Sequence, residues 1–276
     1  MSNTALAWVD GQAADSLPLT DRGLAYGDGL FETLRVQRAQ IPLWSLHLQR
    51  LQRGAERLRL PLDVQRLQQE LQGFIAASGA GEAVIKLLVT RGSGQRGYAI
   101  PVDARCRHLL QLSALPDWPA SHAIEGIELF PCRTRLSRQP LLAGLKHLNR
   151  LEQVLARSEW TDTRYAEGLL RDTRGEVIEG TLSNLFALID GCWVTPDLRN
   201  CGVRGVMRDW LIDWLQQQGQ VVQQRPLALT QLSQADELFC CNSLFGIWPV
   251  RALERQRWPV GSQTRRLQGV AAQVFM

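Results

Sequence analysis

The sequence predicts a mixed α/β fold in two domains, and three observations support this prediction. The 276 residues are 45% hydrophobic and 21% charged, which is the balance of a globular chain with a sizeable core. Segments typical of strands and of helices mix in both halves, with several hairpins rather than a strict alternation. Residues 115–122 contain two prolines in LPDWPAS, the composition of a linker. We therefore expect a smaller domain over 1–114, a larger one over 123–276, and a site in the cleft between them.

The first half is expected to combine a small sheet with two helices. Runs rich in β-branched and other apolar residues predict strands at 6–9, 31–36, 41–43, 83–90 and 107–114. Leucines at helical spacing predict a helix over 45–58, for which Ser45 is the expected N-cap. A second helix over 62–77 is expected to end before Gly79 and Gly81.

The second half repeats the mixture at greater length. Strands are expected at 127–132, 167–171, 182–188, 192–195, 221–224, 237–241 and 247–251. Helices are expected over 149–160, from 205 to Gly219, near 229–233 and over 262–273. Glu179 falls between two of the expected strands, so we predict that it lies in a turn.

Charge and cysteine content exclude several classes of protein. The net charge is +4, and the arginines alternate with acids along the chain instead of forming a basic stripe with aromatics, which argues against nucleic-acid binding. No apolar run approaches the roughly 20 residues that span a bilayer, and the start carries no pattern of a secretory signal. The six cysteines show no CxxC pair and are expected to be reduced thiols. These features predict a cytoplasmic protein without a metal site.

Lysine is nearly absent, so any lysine chemistry depends on one of two residues. Only two of the 31 basic residues are lysines, Lys86 and Lys146. Lys146 follows Gly144 just before a predicted helix, whereas Lys86 lies within a predicted strand and is most simply an edge residue that extends to solvent. A lysine amine attacks carbonyl groups when part of it is neutral. Lys146 is therefore the candidate nucleophile, and a solvated lysine at a helix start is the alternative.

Other candidate groups are individually weak. Glu179 could hold a proton on a ring nitrogen or could be an ordinary surface acid, and Arg50 could bind an anion or form part of a solvated helix face. Residues 202–205 at a helix start and the turn at 241–244 could offer backbone amides to a phosphate. Neither segment matches a P-loop or a Rossmann fingerprint.

Taken together and in order, these motifs resemble one known family. They are DRGLAYGDGLFETLR at 21–35, HLQRL around Arg50, Lys146 before LNRLEQ, EGTLSNLF from Glu179, GVRGVMR at 202–208 and CNSLFGIWPV at 241–250. The chain resembles the fold-type IV pyridoxal-phosphate enzymes, which include D-amino acid aminotransferases, branched-chain aminotransferases and aminodeoxychorismate lyases. The resemblance covers nearly the whole chain. TRGSGQRGY at 90–98 and LAGLKHLNRLEQVLAR at 142–157 are similar to the lyases in particular.

The resemblance implies a role for each matching residue. Lys146 would bind the aldehyde of pyridoxal 5'-phosphate as a Schiff base, and Glu179 would keep the pyridine nitrogen protonated so that the ring acts as an electron sink. Arg50 would bind the cofactor phosphate. The remaining cofactor positions implied are Asn184, Val203, Arg204, Asn242 and Ser243. Thr33 matches a threonine that the lyases have near the cofactor, and Arg91, Arg96 and Tyr98 would be available to a dicarboxylate substrate.

The resemblance also implies a reaction and a partner. We expect a lyase that converts 4-amino-4-deoxychorismate to 4-aminobenzoate and pyruvate in folate biosynthesis, acting as a homodimer on a small molecule. Two alternatives share the same residues. One is a branched-chain or D-amino acid aminotransferase, and the other is a non-catalytic protein that keeps the fold.

Overall fold

The structure is a computed structural model that describes residues 6–276, and the chain divides into two compact units. The first contains the described residues up to Pro116 together with Leu145–Asn149. The second contains Asp117–Gly144 and Arg150–Met276. Both units mix helices and strands, so the predicted α/β class is confirmed. The segment that carries Lys146 belongs to the first unit, although the sequence-based boundaries assign this residue to the C-terminal domain.

The first unit is a five-stranded antiparallel sheet with two long helices. The sheet order is β2-β1-β5-β4-β3. The elements are β1 (Ala7–Val9), β2 (Gln12–Ala13), α1 (Arg22–Tyr26), β3 (Gly29–Gln37), α2 (Trp44–Leu58), α3 (Val64–Ser78), β4 (Glu82–Thr90) and β5 (Arg107–Ser113).

The strand β3 shows why this sheet has one buried face. Its residues alternate between buried and half-buried, as expected when one face of a strand packs on a core. The buried side chains Leu30, Leu34 and Val36 join a core cluster with leucines of α2 and with Leu67 and Phe74 of α3. The half-buried residues, Phe31 and Thr33 among them, point to the opposite face.

Two predictions for the first half are wrong. Residues 41–43 form no strand, because after a tight turn at Arg38 and Ala39 the chain turns again at 42–43, where Leu43 has positive φ, and enters α2 at once. Ser45 is not an N-cap, since α2 begins at Trp44 and Leu43 precedes it with φ of 58° and no capping side chain. By contrast, α3 ends as expected, with Gly79 in the left-handed conformation.

The second unit contains a nine-stranded mixed sheet and five helices. Eight strands follow the order β11-β10-β9-β12-β13-β6-β7-β8, and β14 pairs with β13. The strands are β6 (Ile127–Leu136), β7 (Tyr165–Asp172), β8 (Val177–Gly180), β9 (Asn184–Ile189), β10 (Cys192–Pro196), β11 (Val222–Arg225), β12 (Glu237–Asn242), β13 (Gly246–Leu253) and β14 (Gln256–Arg257). The helices are α4 (Ser121–Ile124), α5 (Leu151–Arg157), α6 (Val206–Gln217), α7 (Leu229–Leu232) and α8 (Ser262–Gln273).

The second unit corrects the prediction for Glu179. This residue is not in a turn but on β8, a short strand whose four residues are all buried and which pairs with β7. The strand was missed because four residues carry too little alternation to be distinguished from a turn. The predicted helix over 149–160 is shorter, covering only α5, whereas α8 has the predicted bounds.

The described residues 6–276 contain no helix that is both long and apolar enough to cross a membrane. In the same range no group of three or more His, Cys, Asp or Glu side chains could hold a metal ion.

All six cysteines are free thiols. Burial raises the pKa of the Cys106 thiol to about 11, and that of the Cys132 thiol to about 12, so both stay protonated near neutral pH.

Candidate active site

Lys146 is attached to the sheet of the first unit through its own main chain. Its carbonyl oxygen accepts the N–H of Phe31 at 2.9 Å, and the N–H of Leu148 donates to the carbonyl of Gly29 at 3.1 Å. The segment therefore runs antiparallel to the start of β3. The Lys146 Nζ lies 4.3 Å from the centre of the Phe31 ring, so the half-buried side chain lies on the face of β3 that the helices leave uncovered.

Beneath β3 lies a buried cluster of one carboxylate and two bases. Glu32 is on the helix-facing side of the strand, at a position where its neighbours are leucines. Its carboxylate accepts a hydrogen bond from Arg50 Nε at 2.8 Å and contacts His47 Nδ1 at 2.7 Å, and Arg50 also donates to it through Nη2. The guanidinium of Arg50 is thus held against α2 and β3 by a charge-assisted pair. The Arg50 side chain is placed rigidly in the first unit.

The charges in this cluster determine its response to acid. Burial acts to raise the pKa of Glu32, but Arg50 and His47 outweigh burial and hold the pKa of Glu32 at about 2, below its ordinary value of 4.5. Burial lowers the pKa of His47, and the positive charges of Arg50 and Lys146 lower it further. Glu32 acts to raise the same pKa, but the net shift is downward. The cluster is therefore most stable with Glu32 ionised.

This gives a prediction for acid unfolding. Because the folded-state pKa of Glu32 is depressed, its contribution to stability is complete above its unfolded pKa and is lost as the pH falls toward the folded value. From about pH 6 to about pH 3.5, the free-energy advantage of the wild type over Glu32→Gln should shrink by about 1 to 2 kcal/mol. Urea unfolding at the two pH values measures this difference. An advantage that is independent of pH would show that Glu32 is not the group responsible.

Thr33 and Lys86 share the uncovered face of the sheet. Thr33 lies two residues after Phe31 on β3, and it pairs with Lys86 on β4. The Lys86 side chain is exposed, but β4 has a neighbour on each side, so the expectation of an edge-strand lysine is wrong. Of these two residues, Thr33 lies on the same strand as Phe31, whose ring contacts the Lys146 amine.

Arg91 is committed to internal contacts. It is only 3% exposed, and its guanidinium donates to Asp28 through Nε at 2.7 Å and Nη2 at 2.9 Å. The same group donates to the carbonyls of Leu58 and Arg59. Burial acts to raise the pKa of Asp28, but Arg91 and Arg22 outweigh it and lower that pKa. The expectation that Arg91 is available to a substrate is corrected, since its donors already connect α2 to the start of β3.

Arg96 and Tyr98 lie on a loop that two other residues hold. Arg22 donates to the carbonyl of Gly97 at 2.9 Å, and the Tyr26 hydroxyl accepts the N–H of Gly97 at 3.2 Å. The rings of Tyr26 and Tyr98 lie 5.4 Å apart. Both Arg96 and Tyr98 are exposed, so their side chains are accessible on a loop whose backbone is fixed.

In the second unit, Glu179 is the buried carboxylate of the predicted site. It is 3% exposed, and its Oε2 accepts the N–H of Val203 at 2.7 Å. Asn184 donates through Nδ2 to the carbonyl of the same Val203 at 2.9 Å. Burial lowers the pKa of the nearby Arg150, and Glu179 acts against this shift. Glu179, Asn184 and Val203 therefore form one connected group.

The segment 202–205 reaches Glu179 because it begins with glycine. Gly202 has φ of +83°, and a Cβ there would lie 2.7 Å from Ile178 and 3.3 Å from the Glu179 Oε2. A side chain at this position would separate the backbone from the carboxylate. Gly205 then caps α6 without a side-chain acceptor, and Arg204 forms an ion pair with Asp209 at 2.7 Å.

Asn242 shapes the turn that carries Ser243. Its Oδ1 accepts the N–H groups of Leu244 and Phe245, both at 2.9 Å, while its Nδ2 donates to the carbonyl of Leu182 at 3.3 Å. An asparagine that bonds the backbone in this way fixes a turn. Asn242 thus connects the turn after β12 to the turn before β9.

Each unit contains side chains of the kind that a phosphorylated pyridine aldehyde requires. Lys146 is an amine that can bond an aldehyde, and Glu179 is a buried carboxylate of the kind that can pair with a protonated ring nitrogen. Arg50 is a held guanidinium, and α6 begins with a glycine cap, both suited to a phosphate.

Sequence reasoning missed the residues that hold the predicted ones. Glu32 and His47 lie inside two of the recognised motifs, FETLR and HLQRL, but their pairing across β3 and α2 became visible only in the structure. Arg22 and Asp28 lie in DRGLAYGD and likewise had no assigned role. The sequence offered one indication. Glu32 falls in the alternating pattern of β3 at a position expected to be buried, and a buried carboxylate needs partners.

Comparisons with known proteins agree with this architecture. The model of the amino-transferase class IV family matches residues 29–253, and the chain belongs to this family. Aminodeoxychorismate lyase from Vibrio harveyi is 37% identical, over 95% of this chain and 98% of its own. A crystal structure of 4-amino-4-deoxychorismate lyase from Pseudomonas aeruginosa has 54% identity and a TM-score of 0.95, over 97% of this chain and 98% of that one. A putative branched-chain aminotransferase from Methanocaldococcus jannaschii is 31% identical over 90% and 87%.

Proposed function

We propose that this protein is a pyridoxal-phosphate-dependent lyase that converts 4-amino-4-deoxychorismate to 4-aminobenzoate and pyruvate, a step of folate biosynthesis. The observation that carries the proposal is the 54% identity to the lyase of known structure over nearly the full length of both chains. The class IV match alone would also admit an aminotransferase. The loop RGSGQRGY and Thr33, which resemble the lyases, favour the elimination reaction.

Under this proposal each residue has a chemical task. When bound, the cofactor supplies an electron sink for the electron pair left on the substrate carbon that bears the nitrogen. Lys146 would bond the cofactor aldehyde in the resting enzyme, and its Nζ, once free, would remove the proton from that substrate carbon. The enolpyruvyl oxygen on the adjacent carbon then leaves, the ring becomes aromatic, and the leaving group gains a proton to become pyruvate. Glu179 holds the proton on the pyridine nitrogen, and Arg50 binds the phosphate.

The other proposed residues support the same reaction. Arg204 and Ser243 would contribute donors to the phosphate, and Asn184 and Asn242 orient the backbone around them. Val203 would line the same place, but its N–H is bonded to Glu179. Thr33 would contribute a hydroxyl on the face of β3 where the Lys146 amine lies.

A paired assay tests the proposal. The purified protein with pyridoxal phosphate is given aminodeoxychorismate, and the formation of 4-aminobenzoate and pyruvate is measured. In parallel it is given branched-chain or D-amino acids with a keto acid, and amino-group transfer is measured. We expect equal amounts of the two lyase products and slow or absent transfer. Transfer without 4-aminobenzoate would identify an aminotransferase, which the 31% identical relative makes the second candidate.

Substrate recognition is expected to depend on Arg96 rather than Arg91. The substrate carries two carboxylates, and a guanidinium binds a carboxylate through two parallel hydrogen bonds. Arg96→Ala should raise KM for aminodeoxychorismate about 10-fold or more, with the absorbance of the bound cofactor unchanged. Arg91→Ala should instead lower the free energy of unfolding, because it removes the two hydrogen bonds of Arg91 to Asp28 and leaves that half-buried carboxylate with Arg22 alone. Steady-state kinetics and urea unfolding of both variants measure these effects. Wild-type KM in Arg96→Ala would move recognition to other residues, Tyr98 first.

We also propose a homodimer in the cytoplasm. The helix α5 exposes Leu151, Val154 and Leu155, which lie on one face at spacings of three and four residues. Such an apolar stripe is suited to a partner surface, and a second copy of the chain is the partner that the family resemblance implies. Sedimentation at micromolar concentration should give twice the mass of one chain. The free thiols suit a reducing compartment.

A further inference from the structure

Glu167 is a buried acid of the second unit to which neither the sequence nor the proposed reaction gives a task. It lies on β7 and is 1% exposed. Its carboxylate accepts the N–H groups of Gly168 at 2.8 Å, Thr181 at 2.8 Å and Leu182 at 3.2 Å. It also accepts the hydroxyls of Thr181 and of Ser183, the latter at 2.7 Å. Five donors meet one carboxylate, so the roughly four lone pairs of its two oxygens are fully used.

Four of these donors belong to one turn, residues 181–183. The turn joins β8, which carries Glu179, to β9, which begins at Asn184. It closes on itself through the N–H of Gly180, which donates to the carbonyl of Ser183 at 2.7 Å. A Cβ on Gly180 would lie 2.8 Å from the Glu167 carboxyl carbon, so the carboxylate fills the inside of the turn.

The turn therefore sets the separation of two residues with proposed roles. Glu179 lies two residues before it and Asn184 directly after it, and both bond Val203. Asn242 adds a bond to the Leu182 carbonyl from the other side. A movement of the turn would carry Glu179 and Asn184 with it, because each is one or two residues from a bond to Glu167.

We propose that Glu167 is a positioning residue that holds Glu179 in the geometry required to protonate the pyridine nitrogen. The inference rests on the proposed function, in which Glu179 contacts that nitrogen. The hydroxyls of Thr181 and Ser183 contribute to the same positioning, since they donate to the two different oxygens of the Glu167 carboxylate. Glu167 acts through the turn and does not touch the cofactor.

Glu237 offers a matched control. It is also a buried acid that accepts backbone N–H groups, those of Gln263 at 3.1 Å and Thr264 at 2.6 Å, and so holds the start of α8. Its contacts involve none of the residues proposed to bind the cofactor. Glu237→Gln should therefore lower the free energy of unfolding without a change at the cofactor. If the role of Glu167 were purely structural, Glu167→Gln would behave in the same way.

The experiment compares Glu167→Gln, Glu179→Gln and Glu237→Gln in the full chain. The glutamine at 167 brings an N–H₂ group against the N–H donors of the turn, so the turn must move. We expect the holoenzyme of Glu167→Gln to show a shifted cofactor absorption band and an altered pH profile of that band, with cofactor affinity at least about 10-fold weaker. Glu237→Gln should keep the wild-type band and affinity, and urea unfolding of all three should register their stability losses.

The outcomes separate the two proposals. If Glu179→Gln shifts the band and Glu167→Gln leaves band and affinity as in the wild type, the positioning role is overturned and the proposed function stands. If Glu179→Gln also leaves the band unchanged, the role of Glu179 in the proposed function fails. Should Glu167→Gln not fold, the double variant Thr181→Val with Ser183→Ala decides. It removes two hydroxyl donors and keeps three N–H bonds, and it should give a smaller shift in the same direction, whereas a wild-type band overturns the inference.

Discussion

Lys146→Ala is expected to lose the covalent cofactor adduct and to lower turnover by about 1,000-fold or more, the largest effect of any single change. The variant removes both the amine that bonds the aldehyde and the base that takes the substrate proton, and a positioned base alone contributes about 100- to 10,000-fold. Its backbone contacts to β3 remain, because the carbonyl of residue 146 and not its side chain accepts the Phe31 N–H. The fold should therefore survive.

The measurement is borohydride reduction followed by mass spectrometry of the digested protein. In the wild type the reduced adduct should map to Lys146, and in Lys146→Ala no adduct should form. Lys86→Ala is the control that the chain itself offers, since Lys86 is the second of its two lysines and is exposed on β4. It should keep both adduct and turnover. An adduct mapped to Lys86 would refute the assignment.

Glu179→Gln is expected to bind the cofactor but to slow turnover by a factor that corresponds to several kcal/mol of activation barrier, roughly 100-fold or more. A glutamine can still accept the Val203 N–H through its remaining oxygen, so the local backbone should hold. It cannot carry the negative charge that keeps the pyridine nitrogen protonated, and the electron sink is weakened as a result.

Turnover must be measured with cofactor occupancy verified by absorbance. Glu176→Gln is a suitable control, because Glu176 lies three residues earlier, is partly exposed and pairs with Arg138 rather than with the site. That variant should behave as the wild type. Near-normal turnover in fully loaded Glu179→Gln would mean that another residue holds the ring nitrogen.

Local pattern was enough to predict most of the secondary structure. The alternation of β3, the leucine spacing of α2 and α3, and the glycine after α3 are all readable from neighbouring residues, and the elements formed close to their predicted bounds. The errors fall where local signals are ambiguous. Residues 41–43 are apolar like a strand, but the chain enters a helix, and β8 is too short to show a period.

The sequence by itself determined the α/β class, the family and the identity of the candidate site residues, because the motifs are contiguous and their order along the chain is specific. Only the tertiary structure decided what each charged residue contacts. Arg91 and Arg96 stand five residues apart in one motif, yet Arg91 is buried against Asp28 while Arg96 is exposed. Glu32 and Glu167 show no role in the sequence, since a carboxylate reveals its role only through its partners. Those partners come from distant elements, α2 for Glu32 and the turn before β9 for Glu167, and a buried charge is stable only when such partners surround it.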